Sequence, residues 1–159
     1  MQYSTYARPA VLALILAGVS GVAYSAQSDR VKPNLLIVDN TLSQTQLTAS
    51  EHAAVTYATF WDTGKESLAR EALAVNFVDK TPPEGRKQGP EGAIMASRVF
   101  RTAVPDLRCE VEQMIVTGNR VVSHLHFHGH FSGTFGKIKG RVRTLILSRR
   151  ISMRSATVK

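Results

Sequence analysis

The sequence contains little cysteine, and the stretch after Glu112 contains no acidic residue at all. Cys109 is the only cysteine in 159 residues, so the chain can form no internal disulfide. It lies in the alternating stretch LRCEVEQ, which predicts a strand with a buried, inert thiol. A nucleophilic thiol needs a base beside it, and the local sequence offers none.

The formal net charge of +8 arises from the C-terminal segment alone. Residues 1–136 carry twelve basic and twelve acidic residues, whereas residues 137–159 carry eight basic residues and no acid. We therefore treat residues 137–159 as an atypical basic tail, which could attract nucleic acid or anionic lipid by charge alone. Aromatic residues for base stacking do not interleave these cations, so we expect no specific nucleic-acid partner.

The first 26 residues are typical of a secretory signal peptide. A short basic region ends at Arg8, an apolar run spans residues 10–19, and small residues surround Ala26. The apolar run is short for a membrane span, with an uncleaved N-terminal anchor as the alternative. The sequence thus predicts an exported protein, periplasmic or secreted, with no membrane span after signal cleavage.

Helical periods precede strand periods along the rest of the chain. Residues 27–46 are polar and predict an irregular linker, and a capping pattern at Thr48 and Glu51 begins a helix that Gly64 ends. KESLAREALA and PEGAIMASRVFRTA predict two more helices, VNFVDK a brief strand, and TPPEGRKQGPEG a loop. After Pro105 the period becomes two, and LRCEVEQMIV, TGNR and VVSHLHFHGHFSG predict an antiparallel hairpin. This order indicates the α+β class.

Several of these segments resemble the SnoaL-like polyketide cyclase family, in the branch often called ester cyclases. They are FWDTGKESLAREALAVNFVD, PPEGRKQGPEG, SRVFRTAVPDLRCEVEQMIVTGNRVV and GHFSGTFG, and they occur in the family's order. The resemblance places the domain at residues 47–136. It implies a nuclear transport factor 2-like fold, in which N-terminal helices close a cone-shaped, curved antiparallel sheet around an apolar pocket.

The resemblance also implies cofactor-free acid/base chemistry, an aldol-type cyclisation or a related reaction of a small ester or ketone. In the family an aspartate near the end of the domain abstracts a proton, and a polar pocket group stabilises the enolate. We expect a small apolar ester or ketone as the ligand, a homodimer, and neither cofactor nor metal. The expected pocket residues are Tyr57, Trp61, Arg101, Asp106, Phe127 and Phe131, of which Arg101 and Asp106 are mainly interpreted as a structural pair at the helix-to-strand corner.

The chain departs from the family pattern in two places. The family's histidine in Gly-Thr-His-x-Gly falls on Phe131, and the late aspartate is missing because no acid follows Glu112. We hypothesise a frameshift near Lys139 to Arg141, which would leave the last strands incomplete and the sheet edge open, with loss of activity as one outcome. The RTLILS stretch of the tail is apolar enough to pair as a strand. DNA sequencing of the gene tests the frameshift.

Four of the five histidines alternate in HLHFHGHF, residues 124–131, so their side chains share one face of a strand. One interpretation is a solvated outer face or dimer contact. A second makes His124, His126 and His130 catalytic acids and bases, which requires a bulge at Gly129 to turn a histidine inward. A third is a metal site, because histidines two apart can chelate one ion. The corresponding alternatives to a cyclase are a non-catalytic protein that binds a small ligand and a metal binder.

Overall fold

The structure is a computed structural model, and it describes residues 29–154. The elements in chain order are β1 (Pro33–Val38), α1 (Gln44–Thr63), α2 (Glu66–Ala72), α3 (Pro90–Ala103), β2 (Arg108–Thr117), β3 (Arg120–Phe131), β4 (Thr134–Phe135), β5 (Ile138–Lys139) and β6 (Arg143–Arg154). This arrangement confirms the α+β class. The predicted signal peptide, residues 1–26, lies outside the described residues.

Helix α1 begins earlier than the sequence pattern indicated. The Ser43 hydroxyl accepts a hydrogen bond from the Gln46 backbone N–H at 3.3 Å, and the Gln46 side chain accepts one from the Ser43 N–H at 3.1 Å. This capping box satisfies N–H groups that a helix start leaves unpaired, and it replaces the box predicted at Thr48. At the other end Gly64 has a φ of 72° and its N–H donates to the Phe60 carbonyl, as predicted.

The segment predicted as an irregular linker, residues 27–46, contains β1 and the first turn of α1. Strand β1 forms because PNLLIV pairs with the edge of β2, in parallel, from Pro33 opposite Val111 to Val38 opposite Val116. The sheet is therefore mixed, and not purely antiparallel as expected. A local sequence window could not show this pairing, because the partner strand lies more than seventy residues further along the chain.

The VNFVDK segment is not a strand. Its backbone is held by the loop itself: the Gln88 side chain accepts from the Asp79 N–H at 2.6 Å and donates to the Asp79 carbonyl at 3.1 Å. The Gly89 N–H donates to the Phe77 carbonyl. These bonds occupy the groups that a neighbouring strand would need, so the segment stays irregular. Helices α2 and α3 form where predicted, and Pro90 is the first residue of α3.

The main sheet has the strand order β1-β2-β3-β6, and β3 is antiparallel to both of its neighbours, β2 and β6. Gly118 and Asn119 connect β2 to β3 in the predicted hairpin. Strand β6, which contains the RTLILS stretch, pairs along the whole of β3, from Arg120 opposite Arg154 to Phe131 opposite Arg143. The curved sheet does not close, so β1 and β6 are its edges. A short hairpin of β4 and β5 lies beside it.

Helix α1 covers one face of the sheet, which we call the inner face. Ala54 and Ala58 of α1 pack there against a continuous apolar layer from β2 and β3, whose most buried members are Cys109, Val111, Met114, Val116, Val121, Leu125 and Phe127. Alternate residues of the same strands form the outer face and are more exposed. Burial of this layer supplies the main apolar stabilisation of the domain.

Candidate active site

Three predicted pocket residues meet on the inner face and form what we call the aromatic site: Tyr57, Trp61 and Phe127. Tyr57 and Trp61 are four residues apart on α1, so they lie on the same side of the helix. Their ring centroids are 6.3 Å apart in an edge-on arrangement. Trp61 also meets Phe127 of β3 edge-on at 5.7 Å, which brings the helix and the sheet together at this point.

Two hydrogen-bond donors, the Trp61 indole N–H and the Tyr57 hydroxyl, lie within this apolar surface. The Trp61 indole nitrogen is buried and makes no hydrogen bond of normal geometry within the described residues. Burial raises the pKa of the Tyr57 hydroxyl above its usual value of 10.0, and the neighbouring Trp61 N–H opposes that shift. Tyr57 therefore stays protonated at neutral pH, and both residues can donate a hydrogen bond to a ligand oxygen.

The charges of three side chains act on the pKa of the Tyr57 hydroxyl. The charge of Asp79 raises the Tyr57 pKa further, while Arg86 and Arg149 lower it. Asp79 and Arg86 lie on the same loop and approach each other to 3.8 Å. Arg86 is partly buried in this loop, and its positive charge acts on the Tyr57 hydroxyl.

The remaining predicted pocket residues lie elsewhere. Phe131, at the end of β3, packs against the main core. The Arg101 guanidinium donates to the Trp61 and Asp62 carbonyls at 2.7 Å and to the Leu107 carbonyl at 3.3 Å. These are carbonyls at the C-terminal end of α1 and at the corner before β2, so Arg101 stabilises the fold there. Burial lowers the pKa of Arg101.

Arg101 and Asp106 do not pair with each other, although both stabilise the expected corner. Asp106 instead binds His130: its carboxylate accepts from the His130 backbone N–H at 2.7 Å, and its other oxygen lies 2.6 Å from the His130 ring nitrogen Nδ1. The imidazole contact is the main cause of a lowered Asp106 pKa, and the backbone bond adds to it. This pair is exposed on the outer face, away from the aromatic site.

The histidine row lies on the outer face. His124 Nδ1 is 3.0 Å from a Glu112 oxygen, and His128 Nε2 is 3.9 Å from a Glu110 oxygen. The predicted bulge at Gly129 is absent, because β3 pairs with β6 without interruption; the bulge occurs in β2 instead, between Val111 and Gln113. No histidine is therefore turned inward. Within residues 29–154, no three potential ligands come together as a metal site.

Comparison with known proteins decides the family. The family model for the SnoaL-like polyketide cyclase matches residues 51–154, which is more than half of the chain and extends through β6. The chain belongs to the SnoaL-like polyketide cyclase family. No curated protein matches it at a significant level.

Solved structures of the SnoaL-like fold support this assignment. A candidate polyketide cyclase from Bacillus cereus ATCC 10987 is 34% identical, with a TM-score of 0.70 over 81% of this chain and 80% of that one. TsrD from Streptomyces laurentii is 17% identical, with a TM-score of 0.62 over 72% and 82%. IdmH from Streptomyces antibioticus, also a candidate polyketide cyclase, is 17% identical, with a TM-score of 0.57 over 67% and 83%. The last two show the shared fold alone.

Asp62 of this SnoaL-like domain was not predicted from the sequence as a site residue. Its buried carboxylate accepts from Arg108 Nε at 2.8 Å, from Arg108 Nη2 at 3.1 Å and from the Cys109 N–H at 2.9 Å. Its spacing could have indicated its burial, because Asp62 lies on the same side of α1 as the buried residues Ala54 and Ala58, at intervals of four residues. A carboxylate on such a stripe requires partners.

Two open cavities flank the Asp62–Arg108 pair. One, of about 290 Å³, is lined by residues that include Lys32, Glu110 and His128. The other, of about 580 Å³, includes the predicted pocket residues Arg101 and Asp106. Acidic and basic groups are mixed in both, so neither has a clear preference for ligand charge.

Within residues 29–154, no helix of the SnoaL-like domain is long and apolar enough to cross a membrane.

Cys109 occupies the inner face beneath these cavities. It is a free cysteine, almost completely buried, and burial raises the pKa of its thiol to about 12, with the charges of Asp62 and Glu110 adding to the shift. The thiolate, which is the reactive form, is therefore scarce at neutral pH. The prediction of a buried thiol is confirmed, and the direction of its pKa agrees with the predicted low reactivity.

Proposed function

We propose that the aromatic site binds a small ester or ketone and promotes cofactor-free enolisation, the first step of an aldol-type cyclisation. The ligand's carbonyl oxygen accepts hydrogen bonds from the Tyr57 hydroxyl and the Trp61 indole N–H. As the α-proton leaves, negative charge accumulates on that oxygen, and the two donors stabilise it in surroundings that hold little water. Membership of the SnoaL-like family supports this class of chemistry.

The observation that carries the proposal is the buried Trp61 N–H, which makes no hydrogen bond of normal geometry within residues 29–154 and has the Tyr57 hydroxyl as its neighbouring acceptor. A buried donor left unpaired costs about 1–3 kcal/mol, so such groups are rare unless a water or a ligand completes them. Here the unpaired donor lies next to a protonated Tyr57, on the same side of one helix. Two convergent donors on an apolar surface match the needs of a developing enolate.

We assign proton abstraction to Asp79. Among the described residues it is the carboxylate whose charge influences the Tyr57 hydroxyl, and it can substitute for the aspartate that the family carries later in the domain. His124, His126 and His130 stay a second candidate for the base. Because they face away from the aromatic site, this alternative requires a separate site on the outer face.

The test follows exchange of the acetyl protons of para-methylacetophenone for deuterium, observed by NMR in heavy water. We expect the protein to accelerate exchange, and Tyr57→Phe and Asp79→Asn each to slow it by about a hundredfold. Glu84→Gln, which removes an exposed acid of the same loop, is the matched control and keeps the wild-type rate. If His130→Ala abolishes exchange while Asp79→Asn does not, the histidine alternative replaces ours.

A second candidate function is non-catalytic binding at the same site. The lack of any acidic residue after Glu112 favours it, because the family's usual base is missing. Binding would then be seen without proton exchange. The single tryptophan provides the readout, since its indole N–H gives one NMR signal that a ligand at the aromatic site must move.

We also propose that the protein is exported and forms a homodimer through the outer face of the sheet. The layout of residues 1–26 supports export, and the N-terminal sequence of protein recovered from the expressing cells tests it: cleavage near Ala26 is expected. Analytical ultracentrifugation tests the dimer. A monomer at all concentrations would contradict that part.

A further inference from the structure

Arg149 occupies an unusual position on β6. In the β3–β6 register it lies opposite Leu125, which is buried on the inner face. The β6 residues two positions away on either side, Leu147 and Ile151, lie opposite Phe127 and Ser123, which are also buried there. Since side chains alternate along a strand, Arg149 is on the same face of the sheet as the aromatic site, in the middle of an apolar row.

Nothing in the described part of the chain neutralises this arginine. Arg108 has Asp62, and Arg86 has Asp79, but none of the ion pairs within residues 29–154 includes Arg149. The strand itself offers no partner, because β6 contains no acidic residue. Arg150, the next residue, lies opposite His124 and thus belongs to the outer face.

Arg149 and the aromatic site share one electrostatic environment. Arg149 lies two positions along β6 from Leu147, the residue opposite Phe127 of the aromatic site. Its positive charge lowers the pKa of the Tyr57 hydroxyl. Met153, on the same side of β6, packs against both apolar clusters of the protein, one of which contains Phe60. The inner side of β6 therefore packs against the apolar clusters to which Tyr57 and Trp61 belong. It carries two cations, Arg143 at the start of the strand and Arg149 in the middle of the apolar row.

We propose that the ligand of the aromatic site carries a carboxylate, and that Arg149 binds it. The inference rests on the proposed function and narrows its substrate class from a small ester or ketone to an enolisable keto acid or an ester with a free acid group. A guanidinium binds a carboxylate through two parallel hydrogen bonds, which fixes direction as well as distance. Binding at Arg149 would hold the ligand with its carbonyl directed at Tyr57 and Trp61.

The experiment compares two ketones of similar shape. Para-acetylbenzoate carries a carboxylate opposite its acetyl group, and para-methylacetophenone carries a methyl group there. Each is titrated into the full chain while the single Trp61 indole N–H signal is followed by NMR. We expect the acid to bind about tenfold more tightly than the neutral ketone, because charge-assisted hydrogen bonds to an exposed arginine contribute modestly. Added salt should reduce the difference.

The variants Arg149→Gln and Arg150→Gln form a matched pair, because each removes one positive charge from neighbouring positions of one strand. Arg149→Gln should abolish the preference for the acid and leave binding of the neutral ketone unchanged; Arg150→Gln should change neither. An unchanged indole signal without ligand shows that each variant keeps the fold around Trp61.

The outcomes separate this inference from the proposed function. Equal affinity of the wild type for both ketones would overturn the role of Arg149 while leaving the aromatic site intact. An equal loss of the preference for the acid in both variants would do the same. If neither compound moves the indole signal, the aromatic site itself is wrong and the inference falls with it.

Discussion

The two faces of β3 are built from alternate residues of one strand, yet they follow different rules. On the inner face Val121, Leu125 and Phe127 are buried against α1 and the neighbouring strands. On the outer face the histidines stay partly exposed, and three of them lie beside carboxylates of β2 or the preceding corner. The inner face is held by packing and the outer face by polar pairs.

This difference between the faces indicates where a ligand site is to be expected. A polar atom on the inner face must have a partner or a purpose, because water cannot satisfy it. Tyr57 and Trp61 are the polar groups that stand out on that side, whereas Arg149 lies on the same face but is exposed on the edge strand. On the outer face, water can form hydrogen bonds with any polar group that has no partner in the protein. The four histidines there are therefore explained without a bound ligand. Chemistry is therefore best sought on the inner face.

Thiol labelling should show the largest contrast between the faces. Because the pKa of Cys109 is raised from 9.0 to about 12, its thiolate fraction at neutral pH is about a thousandfold lower than that of an ordinary cysteine. Native protein should react with a chromogenic disulfide reagent only at the rate at which the inner layer opens, and in full when denatured.

The control places one thiol on the outer face of the same sheet. His126→Cys in a Cys109→Ala background should be labelled at least a hundredfold faster than the wild type, since position 126 is partly exposed. Equal labelling rates for the two proteins would mean that the inner layer is open to solvent. This result would contradict the difference in burial between the two faces.

A second prediction concerns packing. Phe127→Ala removes a ring that is 6% exposed and meets Trp61 edge-on, and we expect a loss of about 3–5 kcal/mol in the free energy of unfolding. His126→Ala, at the adjacent outer position, should cost less than about 0.5 kcal/mol. Denaturation in urea measures both. Losses of similar size would show that the two faces are equally packed.

The sequence predicted much of this fold because local signals agreed. Pro90, Gly64 and the two-residue turn before Arg120 mark element ends by their own backbone chemistry, and the change of period after Pro105 separates helices from strands. Strand β1 was missed because its pairing is non-local. The start of α1 was misplaced because two capping patterns, at Ser43 and at Thr48, lie close together in the sequence, and the helix uses the first.

The site was harder to predict than the fold. Tyr57, Trp61 and Phe127 were predicted as pocket residues from the family resemblance, and the structure brings their rings into contact. Their role in a pocket stays a prediction. Arg149 is an exposed residue of the edge strand β6, and its position on the inner face depends on the register with β3 and not on its own sequence. The expected inward turn at Gly129 failed because β6 pairs with every residue of β3 and holds it regular.

The smallest expected effect is the pH dependence contributed by Asp106 and His130 on the outer side. The His130 imidazole, followed by its backbone N–H, lowers the pKa of Asp106 below its usual 3.8. The folded state thus binds this proton more weakly than the unfolded state. The pair therefore stabilises the fold above the usual pKa, and that contribution is lost as the pH falls through the lowered one.

His130→Gln should consequently flatten the decline of stability below about pH 4, measured as the free energy of unfolding in urea at a series of pH values. The backbone bond to Asp106 survives in this variant, so part of the decline should persist, whereas Asp106→Asn should remove this pair's share entirely. His126→Gln, on the same face and without a carboxylate partner among the described ion pairs, should keep the wild-type profile. If His126→Gln flattens the profile equally, then general charge on the outer face, and not the Asp106–His130 contact, governs the acid response. The polar pairing that distinguishes the outer face would then have no measurable effect on stability at this position.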